Sequence, residues 1–338
     1  MKVLGLTIGD PAGIGPGISV LAAASADVRA CCRPLIIGDA RAVRRALRHA
    51  GVDAGLDVVA EAGAAAWDGR IAVLDVPALG DEDVAMGRVQ ARAGAAAFAY
   101  IRAAVELAKQ GAIAGIVTAP INKEAIRAAG VPHIGHTEML AALTGASGEM
   151  TMFAVENLRI FFLTRHVPLA EACRLAADPE YVYRGIARSC RALRDLGLHR
   201  PRLAVAALNP HAGEGGLLGR EEDAALRPAV ERARREGWDV SGPVPADSVF
   251  HKARQGLYDA VLSLYHDQGH IAAKAIDFEK TVSVTLGLPI LRTSVDHGTA
   301  YDIAGRGAAS PVSMIEAVKV AVELAPAGRT VGGAQAAR

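Results

Sequence analysis

Short β-branched runs alternate with stretches rich in alanine, leucine and arginine along the whole chain. That pattern predicts parallel strands joined by crossover helices, an α/β fold. Leu4 to Ile8, Pro34 to Ile37, Ile71 to Leu74 and Gly115 to Val117 read as strands. Helices are expected over Ala40 to Ala50, Gly87 to Gln110 and Glu222 to Glu236, with Pro228 kinking or restarting the last. A break near Pro120 with a return near Leu288-Pro289 would split a first domain, 1–120 plus 289–338, around a second, 121–288. The tail from Pro326 to Arg338 has no apolar period and reads as a frayed end.

Three further apolar runs each stop just before a histidine: Leu158 to Thr164 before His166, Leu203 to Leu208 before His211, and Ala260 to Tyr265 before His266. In α/β proteins the carboxyl ends of strands meet at one edge, where ligands bind. Any one of these histidines alone reads as a loop residue satisfied by a neighbouring carbonyl. Three with one grammar point to a shared metal or catalytic site.

At 338 residues and 51% hydrophobic content, the chain is long enough for two domains with large buried cores. Its 37 basic and 36 acidic residues leave a formal net charge of +1. That balance gives no general footprint for nucleic acid or an anionic membrane, so an anionic ligand must be held by local groups. Cys31 and Cys32 are adjacent, Cys173 and Cys190 are isolated, and no CxxC occurs, which suggests neither a zinc ribbon nor a disulfide framework. The apolar stretch after Met1-Lys2 is too short for a signal-peptide core, and no run approaches the roughly 20 apolar residues of a bilayer span. A cytoplasmic protein is expected.

Several segments carry candidate chemistry. Gly9-Asp10-Pro11-Ala12-Gly13-Ile14-Gly15-Pro16-Gly17 follows the first strand, as a tight turn or an anion-binding helix start. It is not the dinucleotide fingerprint, because the third glycine of GxGxxG would fall on Ile18. Lys123, His136 and Thr137 are donors for a phosphate or carboxylate, although Thr137 also suits a helix cap and Lys123 a solvated surface. In His266-Asp267-Gln268-Gly269-His270, followed by Lys274, the lysine suits an anion or proton transfer. Arg292 follows another apolar run and offers a planar fork suited to phosphate.

Taken in order, Gly9 to Pro16, Thr118-Ala119-Pro120-Ile121-Asn122-Lys123, Gly135-His136-Thr137-Glu138, Asn209-Pro210-His211-Ala212-Gly213-Glu214, Tyr265 to His270 and Arg292 to Ala300 resemble the 4-hydroxythreonine-4-phosphate dehydrogenase family. The resemblance runs to about Met314. It implies two α/β/α domains with a cleft between them, a fold similar to isocitrate and isopropylmalate dehydrogenases. It also implies NAD-dependent oxidation of 4-phosphooxy-L-threonine to 2-amino-3-oxo-4-phosphooxybutanoate, which loses carbon dioxide to give 3-amino-2-oxopropyl phosphate, in pyridoxal phosphate synthesis.

The family is homodimeric, with an active site at the subunit interface and a divalent metal, such as zinc, cobalt, magnesium or manganese, held by three histidines. One of the three comes from the partner chain. Position by position, the metal ligands fall on His166, His211 and His266, and substrate contacts on His136, Thr137, Lys274, Ser283 and Arg292. Lys274 is the candidate for proton transfer or carboxylate binding, with Asp247 or Asp267 as base or orienting group.

Two positions and one short stretch depart from the family pattern. Ser283 stands where the family has asparagine, Gly17 where many members carry an acidic residue, and Val131-Pro132-His133-Ile134 differs from the usual lead into GHTE. Ser283 keeps a second substrate in view, D-threonate or D-erythronate 4-phosphate, with a hydroxyl in place of the amino group. A metal-free, non-catalytic binding paralogue is a third reading, against which the intact histidine, lysine and arginine set stands. No motif locates residues that contact NAD.

Overall fold

A computed structural model describes residues 1–80, 84–133 and 135–325; the tail from Pro326 to Arg338 and Ile134 lie outside the described residues. In chain order the strands are β1 (Val3–Thr7), β2 (Arg33–Gly38), β3 (Leu56–Val59), β4 (Ile71–Asp75), β5 (Ile116–Thr118) and β6 (Met150–Val155). There follow β7 (Leu158–Phe162), β8 (Arg202–Ala206), β9 (Asp239–Val244), β10 (Ala260–Ser263), β11 (Val282–Leu286) and β12 (Arg292–Val295). The helices are α1 (Gly15–Ala24), α2 (Ala26–Cys31), α3 (Ala40–Ala50), α4 (Ala91–Lys109), α5 (Lys123–Ala128) and α6 (His136–Thr144). The rest are α7 (Leu169–Ala176), α8 (Pro179–Asp195), α9 (Arg227–Arg235), α10 (Ala246–Arg254), α11 (His266–Ile276) and α12 (Val312–Leu324).

The α/β reading holds, and the expected helices appear with physical boundaries. Asp39 caps α3 by accepting from the Arg41 N–H, and Gly51, in the left-handed conformation, ends it. The third expected helix divides: a π-turn over Glu222–Leu226 gives way to α9, with Pro228 in its first turn, where a missing N–H costs nothing.

Two compact units result: unit 1 is Met1–Glu149 with the segment from Val282 onward, and unit 2 is Met150–Thr281. The division thus falls beyond Pro120 and before Leu288. α5 belongs to unit 1 because Gly94 of α4 lets it pack closely; a methyl there would sit 2.1 Å from the Ala125 carbonyl oxygen. Met139 and Leu140 of α6 join the same core as Ile37 and Ile116, and β11 pairs antiparallel with β12.

Within unit 1 the strand order is β3-β4-β2-β1-β5-β12-β11. Alternate residues feed opposite cores: Ile36 and Val73 pack with Val20 and Val43, while Leu35, Ile37 and Leu74 pack with Ile101, Ile126 and Met139. Both faces are covered, as expected of parallel strands. The glycines of the first loop serve close approach. A methyl on Gly15 would meet the Ile8 carbonyl oxygen at 2.2 Å, and one on Gly9, at φ +63°, the Pro120 carbonyl oxygen at 2.2 Å.

Unit 2 has the order β6-β7-β10-β8-β9. Ile160, Phe162 and Ala204 face α10 and α11, whereas Gly185 of α8 lies over Leu262 on the other face. Among the described residues no helix is long and apolar enough to cross a membrane.

Candidate active site

In unit 1, the register of four neighbouring strands aligns hydroxyl side chains. Thr7 pairs with Thr118, Thr118 with Ser294, and Ser294 with Ser283. Arg292 and Thr285 occupy the adjacent row on the same face, since side chains two apart share a side. Thr293 points the other way and donates to the Ala317 carbonyl of α12.

Arg292 is 5% exposed. Its Nε and Nη2 donate to Thr118 Oγ1 at 3.0 and 2.8 Å, and its Nη1 to Thr285 Oγ1 at 3.0 Å. Among the described residues no carboxylate lies within ion-pair distance of the guanidinium. Burial pulls its pKa down to about 10, still above any working pH. A buried cation held only by neutral hydroxyls is built to receive an anion.

His136 opens α6 beside this wall, and Gly135, not Thr137, is the cap residue. Burial first, and then the Arg292 charge, hold the imidazole pKa well below its ordinary value. Its Nε2 is sealed from solvent with no hydrogen-bond partner among the described residues. The half-buried Thr137 follows in the first turn, where backbone N–H groups favour negative charge. Ser283 is half-buried opposite Ser294. Lys123 is exposed at the start of α5.

Unit 2 gathers the histidine grammar. β7 and β8 flank β10, all parallel, so His166, His211 and His266 follow the carboxyl ends of three adjacent strands. His266 and His166 rings lie 5.9 Å apart between centroids, and His270 stacks on His266 at 3.6 Å. His270 was not read as a site residue, although its i, i+4 spacing from His266 signals a shared helix face. Burial, then the His266 and Lys274 charges, lower its pKa to about 4, and it packs against Phe153 and Phe162. Gly269 makes this possible, because a methyl there would meet Phe162 Cε1 at 2.6 Å and Ser263 Oγ at 2.7 Å.

Asp267 Oδ1 lies 2.6 Å from His266 Nδ1. A carboxylate only accepts, so Nδ1 carries the proton of this bond, and Nε2 is the nitrogen left to face a metal. Gln268 accepts from the Leu264 N–H at 2.7 Å and donates to the Ala207 carbonyl at 2.8 Å, tying the ends of β10 and β8. Lys274, half-buried one turn beyond His270, has its ammonium 5.0 Å from the Phe278 ring centroid. Asp247 and Asp267 line a cavity of about 520 Å³ with Phe250, Tyr265 and Ile271.

His211 begins an unusual segment. Residues 211 to 216 all have positive φ, between 45° and 94°, and three of them, His211, Ala212 and Glu214, are not glycine. Such conformations cost about 1–3 kcal/mol each and persist only where the surroundings hold them. The buried Glu222 does so, accepting from the Leu208 and Asn209 N–H groups at 2.9 and 2.7 Å and from Asn209 Nδ2 at 2.8 Å. Even so, among the described residues no three His, Cys, Asp or Glu side chains are gathered closely enough to hold a metal ion. The chemistry of the donors fits a metal; their number within one chain does not.

Known proteins are similar over nearly the whole chain. A protein of Symbiobacterium thermophilum named "Putative D-threonate 4-phosphate dehydrogenase" is 54% identical over 328 residues, 97% of this chain and 98% of that protein. The crystal structure of a 4-hydroxythreonine-4-phosphate dehydrogenase from Burkholderia phymatum superposes with a TM-score of 0.87 at 44% identity, covering 97% of this chain and 99% of that one. One from Klebsiella pneumoniae gives a TM-score of 0.87 at 39% identity, with 96% and 100% covered. The profile described as pyridoxal phosphate biosynthetic protein PdxA matches residues 30–321. The chain therefore belongs to the PdxA family of dehydrogenases.

Proposed function

We propose that this protein is an NAD-dependent, metal-dependent dehydrogenase of D-threonate 4-phosphate. The observation that carries the reading is the Arg292 wall: a buried guanidinium, neutral hydroxyls and a neutral imidazole, with no carboxylate among the described residues in contact with the cation. Such a wall accepts a phosphate or carboxylate and offers partners to a substrate hydroxyl. It offers no counter-charge to an ammonium group, which the amino substrate carries. Ser283, facing Ser294, adds a short hydroxyl where the family has a longer amide. The name of the 54% identical relative agrees with this choice.

Oxidation of D-threonate 4-phosphate at C3 places a ketone β to the carboxylate. Loss of carbon dioxide then leaves dihydroxyacetone phosphate. Bound NAD would take up the hydride, and a divalent cation on His166, His211 and His266 would lower the pKa of the reacting hydroxyl. The chain's own groups divide the remaining work. Arg292, His136 and the first turn of α6 hold the anion; Ser283 and Ser294 orient hydroxyls; Asp267 fixes the His266 tautomer; Lys274 supplies a proton or binds carboxylate. Because three imidazoles are not gathered among the described residues of one chain, the reading includes a homodimer that completes the set.

The test offers D-threonate 4-phosphate, D-erythronate 4-phosphate and 4-phosphooxy-L-threonine in parallel, with NAD and a divalent metal, following NADH absorbance. Preference for D-threonate 4-phosphate supports the reading. Preference for the amino substrate would overturn it and place the enzyme in pyridoxal phosphate synthesis. Chelation should abolish turnover, as should His211→Ala, while Asp267→Ala should only reduce it.

A further inference from the structure

Arg292 has five N–H groups. Three are engaged by hydroxyls of Thr118 and Thr285, leaving two for a ligand. Thr118 carries the larger share: both lone pairs of its Oγ1 accept from Arg292, and its single proton goes to Ser294 Oγ at 3.0 Å, with the Thr293 carbonyl a longer alternative at 3.4 Å. Ser294 Oγ in turn donates to the Thr118 carbonyl at 3.3 Å. No hydrogen-bonding capacity of the Thr118 hydroxyl is left over.

We propose that Thr118 is the positioning residue that aims the Arg292 guanidinium at the substrate anion while leaving its charge uncompensated. The proposal rests on the reading of Arg292 as the anion-binding residue. A carboxylate at position 118 would orient the fork equally well, but would cancel the charge the substrate is to meet. A hydroxyl orients without neutralising. Thr118 is also placed to keep this geometry rigid, since it is fully buried at the end of β5, between β1 and β12. Without its hydroxyl, Thr285 alone among the described residues would restrain the guanidinium, and the two ligand-facing N–H groups would lose their direction.

The experiment compares wild type with Thr118→Val, Thr118→Ala, Thr118→Ser and Arg292→Met in the full-length enzyme. It reads kcat and KM for the phosphorylated substrate and the competitive inhibition constant of inorganic phosphate. Valine keeps the shape and β-branching of threonine, and alanine removes the same hydroxyl should valine impair folding. Thr118→Val and Thr118→Ala are expected to raise KM and the phosphate inhibition constant at least about tenfold, as loss of hydrogen bonds to a charged group implies, with kcat within about twofold. Thr118→Ser is expected to restore both constants.

Wild-type KM in Thr118→Val or Thr118→Ala, alongside a raised KM in Arg292→Met, would overturn the positioning role alone. Failure of serine to restore KM, or an equal fall in kcat, would also overturn it, leaving Thr118 a packing residue. Unchanged KM in Arg292→Met would remove the anion-site reading itself.

Discussion

Replacing Arg292 by methionine should leave the unligated protein almost as stable as before while abolishing its response to phosphate. Burial pulls the arginine pKa down from its ordinary value to about 10, which corresponds to about 3 kcal/mol of unfavourable desolvation. Because the folded state depresses the pKa of a base, that cost is present in full at every pH below about 10 and is relieved only as pH rises further. The three hydrogen bonds to Thr118 and Thr285 offset it: two share one oxygen, so each is taken at about 1.5 kcal/mol, the low end for a charged donor, about 4.5 kcal/mol in all and a surplus of about 1.5 kcal/mol. Methionine removes both sides of the balance and fills much of the same volume. The expected change in urea-unfolding free energy is therefore within about 2 kcal/mol of zero. An arginine paired with a buried carboxylate would behave differently, since breaking such a pair costs about 3–5 kcal/mol. Inorganic phosphate at a hundred times its Kd should stabilise wild type by about 2.7 kcal/mol and the variant not at all. A loss of 3 kcal/mol or more in the unligated variant, or an undiminished phosphate effect, would refute the picture of an uncompensated cation.

Gly269→Ala should destabilise unit 2 by about 1–2 kcal/mol, because overpacking against Phe162, Ser263 and Ile160 outweighs the helix-propensity gain of about 1 kcal/mol; thermal unfolding that rises instead would show that α11 has room to shift. Glu222→Ala should cost about 3 kcal/mol by stranding the Leu208 and Asn209 donors, and limited proteolysis should then cut near residues 211–216, whereas a cleavage pattern like wild type would mean the segment holds its shape unaided. His136 should remain neutral at neutral pH, since burial and Arg292 lower its pKa; its folded-state preference for the neutral form means stability falls as pH drops below about 6.5 towards the lowered value. An NMR titration showing its ring protonating near pH 6.5 would contradict this.

Much of this arrangement was legible in the chain itself. The placement of the three histidines after neighbouring strands was legible because β7, β10 and β8 are short, apolar and parallel, so each run ends at the same edge. Arg292 was legible for the same reason. Thr118 was not singled out: a threonine at a strand end is ordinary until register sets it beside an arginine 174 residues away. The unit boundary was misjudged because Pro120 looks like a stop, whereas the close α4–α5 approach depends on Gly94, whose meaning is visible only once Ala125 lies against it. Similarly, Asn209-Pro210-His211-Ala212-Gly213 reads as a plain turn, and the buried Glu222 that holds its left-handed course lies in a later helical turn.

The discontinuity of unit 1 bears on how the protein is made. β12 lies between β5 and β11, yet it is synthesised only after the whole of unit 2. Until then, the β5 edge has no neighbour from its own chain, an open template for pairing with other nascent chains. Arg292 arrives with the same strand that closes this edge. The anion site therefore comes into being at the moment the sheet loses its exposed margin, so a translation product stopped before Val282 should be both inactive and prone to aggregate.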